Sequence, residues 1–126
     1  MLGSLANVAQ DEGDLDEAQR LQNECLQQAR TSGDTRLVAY TLHNLGNLAV
    51  HRGEPENAQA FYQESLPAKE ALGDRRGVAS LRTSLGILAL DAGRHEDSLM
   101  HLRDALRELQ MLGNKLHMVT ALEALA

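Results

Sequence analysis

The chain has one cysteine, two prolines, no tryptophan and three aromatic rings, Tyr40, Phe61 and Tyr62. A lone cysteine excludes an internal disulfide and suits a reducing compartment, so a cytoplasmic location is expected. With so few aromatics, Leu and Ala must supply most of the core, which favours helices packed closely through small side chains. The formal net charge is −6, and acidic and basic residues are interspersed. Without clustered Lys and Arg a nucleic-acid backbone is not an expected partner. No apolar run approaches the ~20 residues of a membrane span. Nor is there a basic-then-apolar leader with a small-residue cleavage site, so neither membrane insertion nor secretion is indicated.

What the chain does have is a period. Gly13, Gly53 and Gly93 superimpose on a shift of 40 residues, as do Gly33, Gly73 and Gly113. Leu26, Leu66 and Leu106 form another series, Leu5, Leu45, Leu85 and Leu125 a fourth, and Ala9, Ala49 and Ala89 a fifth. A stacked array needs such a period because each unit presents the same face to its neighbour. Cys25 falls in line with Ser65 and Ala105, which marks a position wanting a small side chain at a helix crossing. No His or basic residue stands one turn from Cys25 to lower its pKa, so a reactive thiol is not expected.

Glycines divide each unit into two halves of helical period. Val38, Leu42, Leu45 and Ala49 recur at i, i+4, i+7 and i+11, one stripe of a helix. The partner half carries Ala58, Phe61, Tyr62, Ser65 and Leu66, and the other units copy it with Ala18, Leu21, Cys25 and Leu26, then Ser98, Leu102, Ala105 and Leu106. Gly33-Asp34, Gly73-Asp74 and Gly113-Asn114 each pair a left-handed helix stop with an N-cap for the next helix. Asp14 with Glu17 has capping-box spacing, and Pro55 suits a first helical turn. Helices are predicted at about 1–12, 15–32, 35–52, 55–72, 75–92, 95–112 and 115–126. Two residues sit uneasily in that pattern. Pro67 lies inside a helix, where it should kink the helix or occupy a site that relieves the strain. Arg82 takes the place of Leu42 and Leu122, so its stem should pack while the guanidinium reaches solvent.

The halves and their turns resemble the tetratricopeptide repeat (TPR). That signature has Leu-Gly in the first helix, Ala twelve residues on, an aromatic four later and a small residue three later. Leu45-Gly46, Ala58, Tyr62 and Ser65 match in full. Leu85-Gly86, Ser98, Leu102 and Ala105 match with an aliphatic for the aromatic; Ala6, Ala18, Gln22 and Cys25 match more loosely. The 40-residue unit with its Leu72-Gly73-Asp74 turn is similar to arrays in MalT-like bacterial regulators and Pins-type scaffolds. The resemblance implies an all-α, right-handed α-solenoid of antiparallel helix pairs, with about three repeats. Residues 1–126 would form one array, in units of about 1–34, 35–74 and 75–114 with a partial unit 115–126. Met1 aligns with Thr41 and Ala126 with Gly86, so the chain is expected to be a segment of a longer array. As a natural short protein it would have uncapped ends that favour self-association.

In this family the ligand lies along a concave face lined by the first helix of each unit. That implies a groove of Asn7, Tyr40, His43, Asn44, Asn47 and His51, continued by Ser80, Thr83, Ser84 and Ile87. Such a groove is polar, nearly uncharged and rich in amides that can bond an extended peptide, with Asn7, Asn44 and Asn47 on its main chain and Tyr40 and Ile87 giving apolar contact. Some members clamp a terminal carboxylate with two asparagines and several cations. Asn7 and Asn44 hold the asparagine positions here, but Gly3, Ser80 and Ser84 hold the basic ones, which argues against that partner.

His43, Asn47 and His51 follow at i, i+4 and i+8, yet the imidazoles lie about 12 Å apart along the axis. One ion about 2.1 Å from each cannot bridge them, and His95 and His101 lie on roughly opposite faces. Exposed histidines are expected instead, with no metal and no cofactor. Phosphate-binding and dinucleotide fingerprints are missing, as is any nucleophile paired with a base, so catalysis is not expected. The leading reading is a scaffold binding a protein or peptide within a larger signalling or regulatory protein. The alternatives are an effector-sensing segment of a bacterial transcriptional regulator, which requires a closed pocket, and an element that assembles end to end.

Overall fold

The computed structural model describes the backbone of residues 14–125 and the side chains of residues 14–113. Five helices follow in order: α1 (Leu15–Ser32), α2 (Thr35–His51), α3 (Pro55–Ala71), α4 (Arg75–Asp91) and α5 (His95–Leu125). No strand occurs among the described residues. The helix expected over 1–12, with Asn7 on it, lies outside them. The chain falls into two compact units, Met1–Leu72 and Gly73–Ala126.

Local chemistry sets the helix ends. Asp14, Asp34 and Asp74 each accept, through Oδ1, the backbone N–H three residues on, at 3.0, 3.1 and 2.9 Å. Each bond satisfies one of the donors that a helix start leaves without an intrahelical partner. Gly33, Gly53, Gly73 and Gly93 sit in the left-handed region, with φ between 67° and 78°, where a side chain would be strained. The expected stops at Gly33 and Gly73 are therefore present, and Gly53 and Gly93 work the same way.

Gly113 does not. The stop expected at Gly113-Asn114 is overturned: α5 runs unbroken from His95 to Leu125, and Gly113 keeps a negative φ. A glycine inside a helix costs about 1 kcal/mol against alanine. The strong helix formers that follow, Lys115, Leu116, Met118, Ala121, Leu122 and Leu125, offset that cost by extending the ladder.

In the first unit, Leu26, Leu42 and Leu45 form one buried cluster, with Val38 and Phe61 packed against it. The small-residue positions are the crossings. Cys25 is buried, with Sγ 3.4 Å from Thr41 Oγ1. Ser65 Oγ donates to the Ala39 carbonyl at 2.7 Å. Gly46 lies so close under the Tyr62 ring that a Cβ there would overlap it. Exposed ion pairs join the helices at the margin: Arg52 Nη1 to Asp16 at 2.7 Å, and Arg30 to Glu64. The α3 helix runs through Pro67, which lies on the exposed side beside Gln63. The Gln63 carbonyl that loses its N–H partner can thus be hydrated, which limits the penalty.

In the second unit α4 buries Val78, Ala79, Leu81, Leu85, Leu88 and Ala89, and α5 answers with Ser98 and Ala105. Arg82 packs its stem and pairs with Asp104 at 3.3 Å. Two residues of the expected α5 stripe depart from expectation: Leu102 and Leu106 are 36% and 56% exposed. Leu102 still lies against Gly86 of α4, so only the part of that side beyond it, with Leu106, is left largely open in this unit.

Candidate functional site

On α2, Tyr40, His43, Asn44, Asn47 and His51 recur at i, i+3, i+4, i+7 and i+11, one stripe of the helix. The structure brings these five together. Tyr40 is half-exposed and His51 is exposed. The three between them are partly buried and tied differently. Asn47 Oδ1 accepts a 2.6 Å hydrogen bond from the Tyr62 hydroxyl, which fixes its carboxamide and leaves the NH2 as its free donor side. His43 stands edge-on to Tyr62, centroids 5.6 Å apart, and its Nδ1 lies 2.5 Å from Lys69 Nζ. Burial, with the Lys69 charge adding to it, lowers the His43 pKa to about 4. The imidazole is then neutral at pH 7 and Nδ1 accepts from the ammonium. Asn44 has its Nδ2 enclosed, with no acceptor among the described residues.

The histidines are thus not uniformly exposed, as the spacing suggested. His51 and His95 are, whereas His43 and His101 are partly covered. The His101 pKa is lowered, first by burial and then by Arg82. Sequence reasoning missed Lys69, 7% exposed, as the residue that holds His43. The signal was its register: Ala29, one period earlier, falls on the apolar face of its helix and is buried.

On α4, Ser80, Thr83, Ser84 and Ile87 form a second stripe, in the second unit. Ser80 and Ile87 are exposed. Thr83 Oγ1 donates to the Ala79 carbonyl at 2.8 Å and Ser84 Oγ to the Ser80 carbonyl at 3.2 Å. Their hydroxyl protons are used within the helix, so toward a ligand they offer lone pairs only. A separate cleft of about 180 Å³ opens where α1, α2 and α3 converge, lined by Gln19, Leu45, Leu48, Ala49, Arg52, Glu54, Asn57 and Phe61. None of the expected site residues lines it. No three His, Cys, Asp or Glu side chains converge as a metal site among the described residues.

The family model described as tetratricopeptide repeat matches twice, over residues 1–71 and 41–111. The chain belongs to the tetratricopeptide-repeat family. The offset between the two matches equals the period read from the glycines, and together they take in the Leu-Gly, Ala and small-residue positions named above. Among solved structures, this TPR chain is similar to the crystal structure of BtubC (BKLC) from P. vanneervenii, with a TM-score of 0.79 and 25% identity. The alignment covers 89% of this chain and 46% of that one, so the chain spans about half the length of its structural relative. No curated protein matches it. TPR repeats mediate protein–protein interaction as non-catalytic scaffolds. No helix among the described residues is long and apolar enough to cross a membrane.

Proposed function

We propose that the chain is an interaction scaffold that holds an extended peptide or partner segment against the polar stripe of α2. The observation that carries this is Asn44. Among the described residues its Nδ2 has no acceptor, and it stands between His43 and Asn47, which are already tied to α3. A buried donor left unmade costs about 1–3 kcal/mol, and a ligand carbonyl is the group that would satisfy it. Tyr40, half-exposed at the start of the stripe, supplies apolar contact and a hydroxyl. Because Lys69 and Tyr62 already fix the stripe, binding costs little ordering on the protein side. Ile87 and the lone pairs of Thr83 and Ser84 make α4 a further contact surface of the same kind. Such a module would serve within a larger signalling or regulatory protein in the cytoplasm, in keeping with its half-length match and its lone buried thiol.

Effector sensing requires a closed pocket, and the larger depressions among the described residues, about 470 Å³ beside Asp14, Asp16, His51 and Arg52 and about 360 Å³ along α5, lie open to solvent, which favours the scaffold reading.

The test is capture from a lysate of the native host, comparing the chain with Tyr40→Ala and Asn44→Ala variants whose helicity is checked by circular dichroism. Partners should be retained by the parent and weakened about 5–10-fold by each variant, as expected for one lost hydrogen bond. Equal retention by all three, or retention of nothing, sinks the proposal. Asn47 is left intact, because its substitution would also strip Tyr62 of its acceptor.

A further inference from the structure

We propose that two copies of this chain exchange residues 115–125, laying their α5 helices antiparallel about a two-fold axis near Asn114. An apolar stripe of α5 is covered by α4 only at one edge, where Leu102 meets Gly86. Leu99, Leu102, Leu106 and Leu109 recur at i, i+3, i+7 and i+10 and are 55%, 36%, 56% and 50% exposed. One leucine at the surface is ordinary, but four on one stripe form a continuous apolar seam.

The first unit shows what covers that seam. Two periods before Leu106 stands Leu26, which is buried, and its cover is α2 through Leu42 and Leu45, with Val38 beside them. The chain reverses at Gly33-Asp34 to make that contact, so Leu26 and Leu42 stand at equal distances on either side of Asp34. Transferred by two periods, the cover for Leu106 is Leu122 and Leu125 with Met118, and Leu106 and Leu122 stand at equal distances on either side of Asn114. The small crossing repeats as well: Cys25 touches Thr41 at 3.4 Å, and their counterparts are Ala105 and Ala121. The segment 115–125 therefore carries the apolar register that the α5 seam requires.

Its own chain cannot deliver it. No turn forms at Gly113, and α5 continues as one helix to Leu125. At 1.5 Å per residue its 31 residues span about 46 Å, whereas the 17 of α4 span about 26 Å. The segment is carried past the end of the helix that pairs with α5, away from the seam. A second copy solves both problems at once. With two α5 helices antiparallel and crossing at Asn114, each 115–125 segment lies on the partner's seam in the register that α2 takes on α1. The arrangement is isologous, so it closes at two copies and does not propagate. Two such contacts, each an eleven-residue helix against four leucines, bury on the order of the ~1,600 Å² of a stable interface.

The experiment uses the full chain with Cys25→Ser, Ala105→Cys and Ala121→Cys, oxidised and run on a non-reducing gel, beside sedimentation of the unmodified protein. Sedimentation should give twice the 13.8 kDa of one chain, and oxidation should give a dimer-sized band. A second variant, with Gly-Ser-Gly-Ser inserted between Gly113 and Asn114, frees the turn. It should shift the mass toward one chain and, in the cysteine background, shift the cross-link to a monomer-sized product. Leu106→Glu should weaken the dimer at least about 10-fold. A mass of one chain at 100 µM, a monomer-sized cross-link without the insertion, or a mass that grows without limit would each overturn the exchange.

Discussion

Gly46 and Gly86 hold the same place in successive repeats, yet replacing them with alanine should change stability in opposite directions. Alanine is favoured over glycine inside a helix by about 1 kcal/mol, and that gain is common to both. The neighbours decide the rest. A Cβ on Gly46 overlaps the Tyr62 ring, which is 3% exposed and anchored through its hydroxyl to Asn47. Forcing that ring aside is overpacking, about 1–3 kcal/mol, and misaligning the phenol bond adds about 1 kcal/mol. The net for Gly46→Ala is a loss of about 1–3 kcal/mol. A Cβ on Gly86 meets the end of Leu102, a flexible side chain 36% exposed that can swing outward. Gly86→Ala should therefore be neutral or stabilising by up to about 1 kcal/mol. Urea unfolding followed by far-ultraviolet circular dichroism compares the midpoints directly. A repeat array need not unfold in one step, so both slopes must be compared as well. Tyr62→Leu added to Gly46→Ala rebuilds the Gly86–Leu102 arrangement with an alanine in it, and should recover part of the loss. If Gly46→Ala is as stable as Gly86→Ala, the ring does not limit the approach of α3 to α2 and the packing argument fails.

Other expectations follow from single contacts. Because His43 is held neutral, with a pKa near 4 against 6.5 when unfolded, only the unfolded chain gains its proton between those values. Stability from this group is full above pH 6.5 and is lost as pH falls toward 4. The gap corresponds to at most ~3 kcal/mol, reduced to about 1–2 kcal/mol by partial exposure. His43→Gln should flatten that part of a stability–pH curve, and an unchanged curve would refute the assignment. Ser65→Ala, which removes the 2.7 Å bond to the Ala39 carbonyl, should cost about 1 kcal/mol in chemical denaturation. Pro67→Ala restores a donor to the Gln63 carbonyl on the exposed side of α3 and should raise the melting temperature, its gain bounded by the ~3 kcal/mol of a buried helix proline.

The fold was legible because its determinants are local and repeated. Left-handed glycines followed by aspartate mark turns within four residues, and stripes such as Leu42-Leu45-Ala49 mark buried faces within three turns. Gly113 escaped because a glycine permits a turn without enforcing one, and the helix formers after it tip the balance the other way. The site was half legible. The resemblance to the tetratricopeptide repeat placed Tyr40, His43, Asn44, Asn47 and His51 on one stripe of α2. It could not tell which were spoken for: Asn47 by Tyr62, 15 residues on, and His43 by Lys69, 26 residues on. Those pairings depend on the depth at which two helices meet, and the period does not encode depth.

The four left-handed glycine turns also set the rules by which such a chain can change length. Each turn is the same short device, and each helix between turns is 17 or 18 residues up to Asp91. Adding or removing 40 residues between equivalent glycines returns every leucine to its old neighbour type. Adding one residue inside α2 rotates everything after it by about 100° and swings Leu45 toward water. Lengthening by duplication should thus be far better tolerated than small insertions or deletions, with the spacing between glycines acting as the reading frame of the fold.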